Sequence, residues 1–170
     1  AGDMVYSVEG EPVKLAAGVR VFDADGNEVE YDGSSTVKMK QLTSTYKFKE
    51  YTWSDGTKGS AADMELGYKI DCDKDSGATS FEVCDQVLEA TFGPGLEYTL
   101  KWVPGAQYSL YFLNQFHFYP SHQVIADGRK LAEVPAAEWA TLPETAEKPL
   151  SMAAFMLTEW KKGESMTFEV

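Results

Sequence analysis

The 170-residue chain has little positive charge, few histidines and cysteines, and no long apolar segment. It carries 15 lysines and arginines against 27 aspartates and glutamates, which gives a formal net charge of −12 at pH 7. A surface this acidic repels phosphate backbones, so we expect no nucleic-acid partner. Because no run of about 18 apolar residues occurs, we also expect no membrane-spanning helix.

The chain also lacks the usual sequence motifs of enzymes. It has no Gly-x-Ser-x-Gly nucleophile elbow, no phosphate-binding glycine loop and no His-Glu-x-x-His metal motif. Its acidic residues are too numerous for one pair of catalytic carboxylates to stand out. The sequence therefore favours a binding protein over an enzyme, and a small secreted hydrolase is the weakest alternative.

Cys72 and Cys84 are the only cysteines, and a polar loop separates them. Two interpretations are open: a disulfide across a hairpin, or two buried free thiols in a cytosolic protein. We favour the disulfide, which would close a loop of about a dozen residues and stabilise the fold by roughly 2–3 kcal/mol. Disulfides persist only in oxidising compartments, and the cysteine spacing does not suit zinc or an iron–sulfur cluster.

The N-terminal residue points to the same compartments. The chain begins with Ala1 rather than with methionine. A small first residue fits cleavage after a signal peptide, although removal of a tag would leave a similar start. Together with the expected disulfide, this predicts a mature extracellular or periplasmic protein.

Alternation of apolar and polar residues is the dominant structural signal. In residues 96–102, Leu96, Tyr98, Leu100 and Trp102 share one face, as in a strand with one buried side. Similar alternation predicts strands at residues 37–39, 46–48, 66–70 and 166–170, and a strand that is apolar on both faces at 108–119. Turn dipeptides separate the strands, among them Asp25-Gly26, Asp55-Gly56, Asp127-Gly128 and Lys162-Gly163.

Helix-forming segments are scarce. Residues 135–140 predict one helical turn with Pro135 in its first position, ended by Pro143. Residues 152–160 fit either a helix or a hairpin, and the turn at Lys162-Gly163 favours the hairpin. We therefore predict an all-β fold with at most one short helix, forming a single domain over residues 1–170. The expected architecture is an antiparallel β-sandwich, with a small β-barrel as the alternative.

The acidic loop around Cys72 is the most specific candidate for a ligand site. It reads Asp71-Cys72-Asp73-Lys74-Asp75-Ser76-Gly77 and is followed by Glu82. Aspartates at alternate positions resemble a calcium loop of the EF-hand type, although the glycine comes one residue late and the flanking segments look like strands. The resemblance implies Asp71, Asp73 and Asp75 as monodentate calcium ligands and Glu82 as a bidentate one. The competing interpretation is an ordinary acidic hairpin loop.

Histidines and tryptophans supply weaker candidates. His117 and His122 are the only histidines, and two imidazoles five residues apart across a proline turn could share a transition metal. Trp53 precedes a turn and Trp139 lies in an irregular segment, so both are candidates for exposed platforms on which sugars stack. In each case an ordinary core or surface role competes with the functional one.

These observations predict a non-catalytic extracellular or periplasmic module that recognises a glycan or protein partner through loops at one end of the fold. Calcium would steady the acidic loop. The alternative is a structural subunit of a cell-surface assembly. Strand-like sequence near Met4 and up to Val170 favours that alternative, because terminal strands can join the sheet edge of a neighbouring subunit and so drive self-association.

Overall fold

The structure is a computed structural model that describes residues 3–113 and 115–169. Its strands are β1 (Met4–Tyr6), β2 (Pro12–Lys14), β3 (Arg20–Phe22), β4 (Glu28–Glu30), β5 (Thr43–Lys47), β6 (Val87–Phe92), β7 (Glu97–Trp102), β8 (Met156–Lys161) and β9 (Ser165–Glu169). Its α-helices are α1 (Ala61–Asp71), α2 (Glu82–Gln86) and α3 (Pro143–Ala146), and Leu131–Glu133 and Ala136–Thr141 form 3-10 helices.

The described strands form four small sheets, ordered β1-β2, β3-β4, β5-β7-β6 and β8-β9. The pairs β1-β2, β3-β4, β6-β7 and β8-β9 are antiparallel, which confirms the predicted dominance of antiparallel strands. The barrel alternative is wrong, because these sheets do not close into a barrel. Face-to-face packing of two sheets stays a prediction. The limit of one short helix is wrong as well, since α1 alone has 11 residues.

The chain divides into two compact units. Unit 1 contains the described residues up to Tyr46, Glu82–Phe92 and the described part of Glu97–Gln115. Unit 2 contains Lys47–Phe81, Gly93–Leu96 and the described residues from Phe116 onward. The prediction of a single domain is not tested by this division and stays a prediction.

The core of unit 1 follows the predicted alternation along β7. Tyr98, Leu100 and Trp102 are almost fully buried, while Lys101 is exposed. The β3-β4 hairpin turns at Asp25-Gly26 as predicted. There the Asp23 carboxylate accepts hydrogen bonds from the backbone N–H groups of Asp25 and Asn27, the local bond that makes aspartate a turn former.

The core of unit 2 forms around α1, where we predicted a strand. Leu66 and Ile70 are four residues apart, a spacing that puts them on one face of a strand and also on one face of a helix. In the structure they belong to a buried cluster with Ile125, Leu131, Val134 and Trp139. Gly67 lets the helix approach closely, because a Cβ there would lie 1.7 Å from the His117 carbonyl oxygen. The strand prediction is wrong because, in a segment this short, the apolar residues fit both the two-residue period of a strand and the 3.6-residue period of a helix.

Four other predicted elements have clear outcomes. The β8-β9 hairpin turns at Lys162-Gly163 as predicted. The helical turn after Pro135 is confirmed as the 3-10 helix Ala136–Thr141, although Pro143 begins α3.

Residues 37–39 and the described residues of 108–119 are not strands. In the latter, N–H groups bond to carbonyls three residues earlier, as from Leu113 to Leu110. Val170 lies outside the described residues.

None of the helices in the described part of the chain combines the length and the apolar character that a membrane span requires.

Candidate functional site

A groove of about 720 Å³ lies within unit 1. Its walls come from the β1-β2 turn, the end of β3, helix α2 and the segment after β7. The lining residues are Tyr6, Ser7, Val8, Gly10, Glu11, Pro12, Phe22, Glu82, Asp85, Gln86, Gly105, Gln107, Tyr108 and Ser109. We call this surface the unit 1 groove.

Backbone hydrogen bonds hold the walls of the unit 1 groove in place. The Ser7 N–H donates to the Glu11 carbonyl at 2.9 Å, which closes the β1-β2 turn, and the Tyr6 N–H donates to Pro104 at 2.8 Å. Gly105 has a φ of +85°, and a Cβ there would lie 3.0 Å from the Met39 methyl and 3.2 Å from the Tyr6 Cβ. Only glycine fits this position without strain, so the backbone of the wall is fixed.

The aromatic wall of the groove is also anchored. The Tyr108 ring stacks on the buried Trp102 ring with centroids 5.1 Å apart and planes 20° apart. The Trp102 indole N–H donates to the Ser44 hydroxyl at 2.9 Å, and this hydrogen bond fixes the Trp102 ring. Phe22, by contrast, is 43% exposed on the end of β3. The groove therefore offers one fixed ring and one accessible ring to a ligand.

The groove is electrostatically negative. Of its 14 described lining residues, three are acidic and none is Lys, Arg or His. Burial, followed by the negative charges of Glu82, Glu11 and Asp85, raises the pKa of Tyr6 above its ordinary value. The same charges would attract a cationic group to this wall.

A second depression of about 550 Å³ adjoins the groove in unit 1. Phe22, Gly105 and Gln107 line both, so they form the ridge between them. The second depression adds Asp23, Lys40 and Gln41 to the polar surface. The two depressions therefore share one ridge within unit 1.

The acidic loop adopts a turn in which the carboxylates of Asp71 and Asp73 accept hydrogen bonds from other groups of the chain. The Asp71 carboxylate, at the end of α1, accepts from the His117 N–H at 2.8 Å and from the Tyr119 hydroxyl at 3.2 Å. Asp73 accepts from the Asp75 N–H at 2.9 Å, and Glu82 begins α2. Within residues 3–113 and 115–169, no three His, Cys, Asp or Glu side chains are grouped to hold a metal ion. Calcium binding here stays a prediction.

Each histidine has its own carboxylate partner. His117 Nδ1 lies 3.0 Å from Asp71, and His122 Nε2 lies 2.8 Å from Asp55. The structure therefore engages the two imidazoles with different aspartates, and a shared transition metal stays a prediction.

The expectation that Trp53 and Trp139 are exposed is wrong. They are 3% and 5% exposed, respectively. The Trp53 indole N–H donates to Asp63, and that of Trp139 donates to the Val134 carbonyl. The turn that follows Trp53 favoured an exposed side chain, but the burial of a side chain is set by contacts with residues distant in sequence.

The disulfide prediction is confirmed, since Cys72 and Cys84 are disulfide-bonded and neither is free.

A buried carboxylate in unit 2 escaped the sequence analysis. Asp63 is 1% exposed. One of its oxygens accepts from the Ser121 N–H and hydroxyl at 2.9 and 2.7 Å. The other accepts from the Tyr51 hydroxyl, the Trp53 indole and the Ser60 N–H at 3.1, 3.0 and 3.0 Å. The Ser60-x-x-Asp63 spacing at the start of α1 is the one sequence signal that marks it.

Comparisons with known proteins bear on the fold. No protein-family model matches the sequence, and no curated protein matches it. Among solved structures, the chain is similar to the oligopeptide-binding protein AppA of Bacillus subtilis, determined in complex with a nonapeptide. The TM-score is 0.61 at 20% sequence identity, over 91% of this chain and 30% of AppA. The chain therefore spans less than a third of AppA's length, and the likeness shows that its fold is similar to a part of that protein.

Proposed function

We propose that this chain is a non-catalytic binding module that holds an extended peptide in the unit 1 groove. The observation that carries the proposal is the groove itself, in which an accessible aromatic ring, a negative wall and fixed backbone turns converge. Its volume of about 720 Å³ lies within the roughly 300–1,000 Å³ typical of ligand sites. AppA, a part of which has a similar fold, was solved with a bound nonapeptide, and this supports a peptide over a glycan as the ligand.

The charge of the groove sets the class of peptide. Glu11, Glu82 and Asp85 line it, and the whole chain has a net charge of −12. Complementary charge speeds encounter and selects the partner, so we expect peptides rich in lysine or arginine to bind best. Salt screens such attraction over roughly 8 Å at physiological ionic strength, so the preference should weaken as salt is added.

Calorimetric titration tests this proposal with two nonapeptides that differ only in carrying lysines or glutamates at the same three positions. The lysine peptide should bind at least about tenfold more tightly at low salt, a difference of about 1.4 kcal/mol. Phe22→Ala should weaken binding. Phe155→Ala is the matched control, because Phe155 is similarly exposed and belongs to unit 2, outside the groove. Equal affinity for both peptides would remove the charge preference, and binding of neither peptide would contradict the proposal.

We further propose that the protein acts in an extracellular or periplasmic compartment. The Cys72–Cys84 disulfide supports this, because disulfides persist in oxidising compartments. Fractionation of cells that make the complete protein tests the location. Recovery with the cytoplasmic fraction, with both thiols reduced, would contradict it.

Calcium at Asp71, Asp73, Asp75 and Glu82 remains a separate part of the proposal. Thermal unfolding with excess calcium and with a chelator tests it, since an ion that binds only the folded state stabilises by about 2.7 kcal/mol at a hundredfold excess over Kd. An upward shift that Asp73→Ala abolishes would support the site. No shift would leave the loop as an ordinary turn.

A second candidate function is assembly with further copies of the chain. Strands β8 and β9 form a sheet of their own, with Trp160, Met166 and Phe168 exposed on it. Open strand edges can pair with a strand from another molecule. Sedimentation at high concentration should then show a dimer or larger species that Phe168→Ala weakens. A monomer at every concentration would overturn this candidate.

A further inference from the structure

Helix α2 places one neutral polar side chain beside the acidic residues of the unit 1 groove. Gln86, the last residue of α2, lines the groove together with Glu82 and Asp85. Glu82 and Gln86 are four residues apart, a spacing that puts them on one face of a helix. The groove therefore offers a ligand a carboxylate and a side-chain amide that are neighbours.

The backbone at Gln86 is held on both sides along the chain. Cys84, two residues earlier, is disulfide-bonded, and Val87, the next residue, pairs with Trp102 of β7. The Gln86 carbonyl itself accepts from the N–H of buried Val103 at 2.8 Å. The side chain of Gln86 therefore starts from a fixed position in the wall of the groove.

The side-chain amide of Gln86 is buried without a partner. Gln86 is 8% exposed, and within residues 3–113 and 115–169 its side chain has no hydrogen-bond partner. Its amide atoms still reach solvent, because the described side-chain atoms that are both unpartnered and closed off from solvent belong to Gln123 and Glu144. Buried polar groups are almost always hydrogen-bonded, so a partner from outside the chain is expected at Gln86.

The chemistry of an amide selects that partner. The Gln86 Oε1 accepts hydrogen bonds and Nε2 donates them, and a peptide group has one N–H donor and one carbonyl acceptor. Two amides can therefore form a pair of hydrogen bonds. A carboxylate ligand would be repelled by Glu82 and Asp85, and an ammonium group has no acceptor for Nε2.

We propose that Gln86 binds a backbone peptide group of the ligand, donating from Nε2 to the carbonyl and accepting at Oε1 from the N–H. This inference rests on the proposed function and deepens it. Glu82 and Asp85 attract the cationic side chains of the peptide, whereas Gln86 binds the backbone that all peptides share. Because the Gln86 contact involves no net charge, its contribution should not depend on salt.

Calorimetric titration of Gln86→Met with the lysine nonapeptide tests the proposal. Methionine is similar in length but lacks the amide, so the Kd should rise at least about tenfold, by the same factor at low and high salt. The Tm of the free variant should equal or exceed that of the wild type, because the amide has no partner in the chain to lose. A structural role for Gln86 would instead lower the Tm.

Gln115→Met is the matched control. The Gln115 amide donates to the carbonyls of Leu110 and Leu113, and Gln115 does not line the unit 1 groove. This variant should therefore show the opposite pattern, with a lower Tm and an unchanged Kd.

A second test changes the peptide instead of the protein. In a series of lysine nonapeptides, one backbone N–H at a time is replaced by an ester oxygen, which removes a donor and leaves every side chain intact. At one position the ester should weaken binding to the wild type about fivefold. The same ester should have no effect on binding to Gln86→Met, because the two changes remove one interaction.

The outcomes separate this proposal from the one on which it rests. Equal affinity of the wild type and Gln86→Met for the lysine nonapeptide would overturn the role of Gln86 and leave peptide binding intact, with water alone at the amide. A loss of affinity together with a lower Tm for Gln86→Met would also overturn that role. If the wild type binds no peptide, both proposals are overturned.

Discussion

Replacing Asp63 by alanine should destabilise the folded protein by about 4 kcal/mol. The carboxylate is buried and accepts five hydrogen bonds, from Tyr51, Trp53, Ser60 and twice from Ser121. Hydrogen bonds to a charged group contribute about 1.5–3 kcal/mol each, but those of one network do not add. Removing one partner from a buried charged network typically costs about 3–5 kcal/mol, which sets the expected size.

Urea denaturation followed by tryptophan fluorescence measures this effect, because Trp53 is itself a donor to Asp63. Asp63→Asn keeps the size of the side chain but points an amide N–H₂ at groups that are themselves donors. The free energy of unfolding of this variant should therefore fall by at least about 2 kcal/mol. Asp25→Asn, at an exposed hairpin turn, is the matched control and should lose less than about 0.5 kcal/mol. A loss below about 1 kcal/mol for Asp63→Ala would refute the reasoning.

The pH dependence of the same network follows from its charge. Burial by itself would raise the pKa of Asp63, but the hydrogen bonds from Ser121, Trp53 and Ser60 outweigh it and hold the pKa below its ordinary value. The stability that the ionised carboxylate contributes is therefore present above the unfolded pKa of about 3.9 and is lost as the pH falls through the lower folded pKa. The difference between wild type and Asp63→Asn should shrink below about pH 4.

Three further predictions concern a glycine of the groove, the disulfide and the tyrosine that donates to Asp63. Gly105→Ala should destabilise by about 1–3 kcal/mol in urea denaturation, because φ is +85° and a Cβ would crowd Met39 and Tyr6; an unchanged midpoint would contradict this. Removal of the disulfide with Cys72→Ser and Cys84→Ser should lower stability by about 2–3 kcal/mol, and no loss would contradict it. Burial and the charge of Asp63 raise the pKa of Tyr51, so stability should fall above about pH 10, and Tyr51→Phe should reduce that fall.

Sequence reasoning located the features that local chemistry determines. The alternation along β7 and the turns at Asp25-Gly26 and Lys162-Gly163 depend on neighbours within a few residues, and the structure has them where the pattern predicts. The Cys72–Cys84 bond was also predictable, because only two cysteines are available to pair.

Features set by distant contacts were not predictable in this way. The segment of α1 alternates like a strand, and its helical form depends on packing against Ile125 and Leu131. Trp53 is buried, and its indole N–H donates to Asp63 of α1. The unit 1 groove brings residues 6–12 together with residues 105–109, and no single stretch of sequence contains that juxtaposition.

The central claim is that an extended peptide binds in the unit 1 groove. The most direct measurement is a titration of isotopically labelled protein with the lysine nonapeptide, followed by the backbone amide NMR signals. We predict the largest shifts at Ser7, Gly10, Gly105 and Gln107, with little change at Gly59 in unit 2. Shifts confined to unit 2, or no shifts at peptide concentrations up to the millimolar range, would contradict the claim.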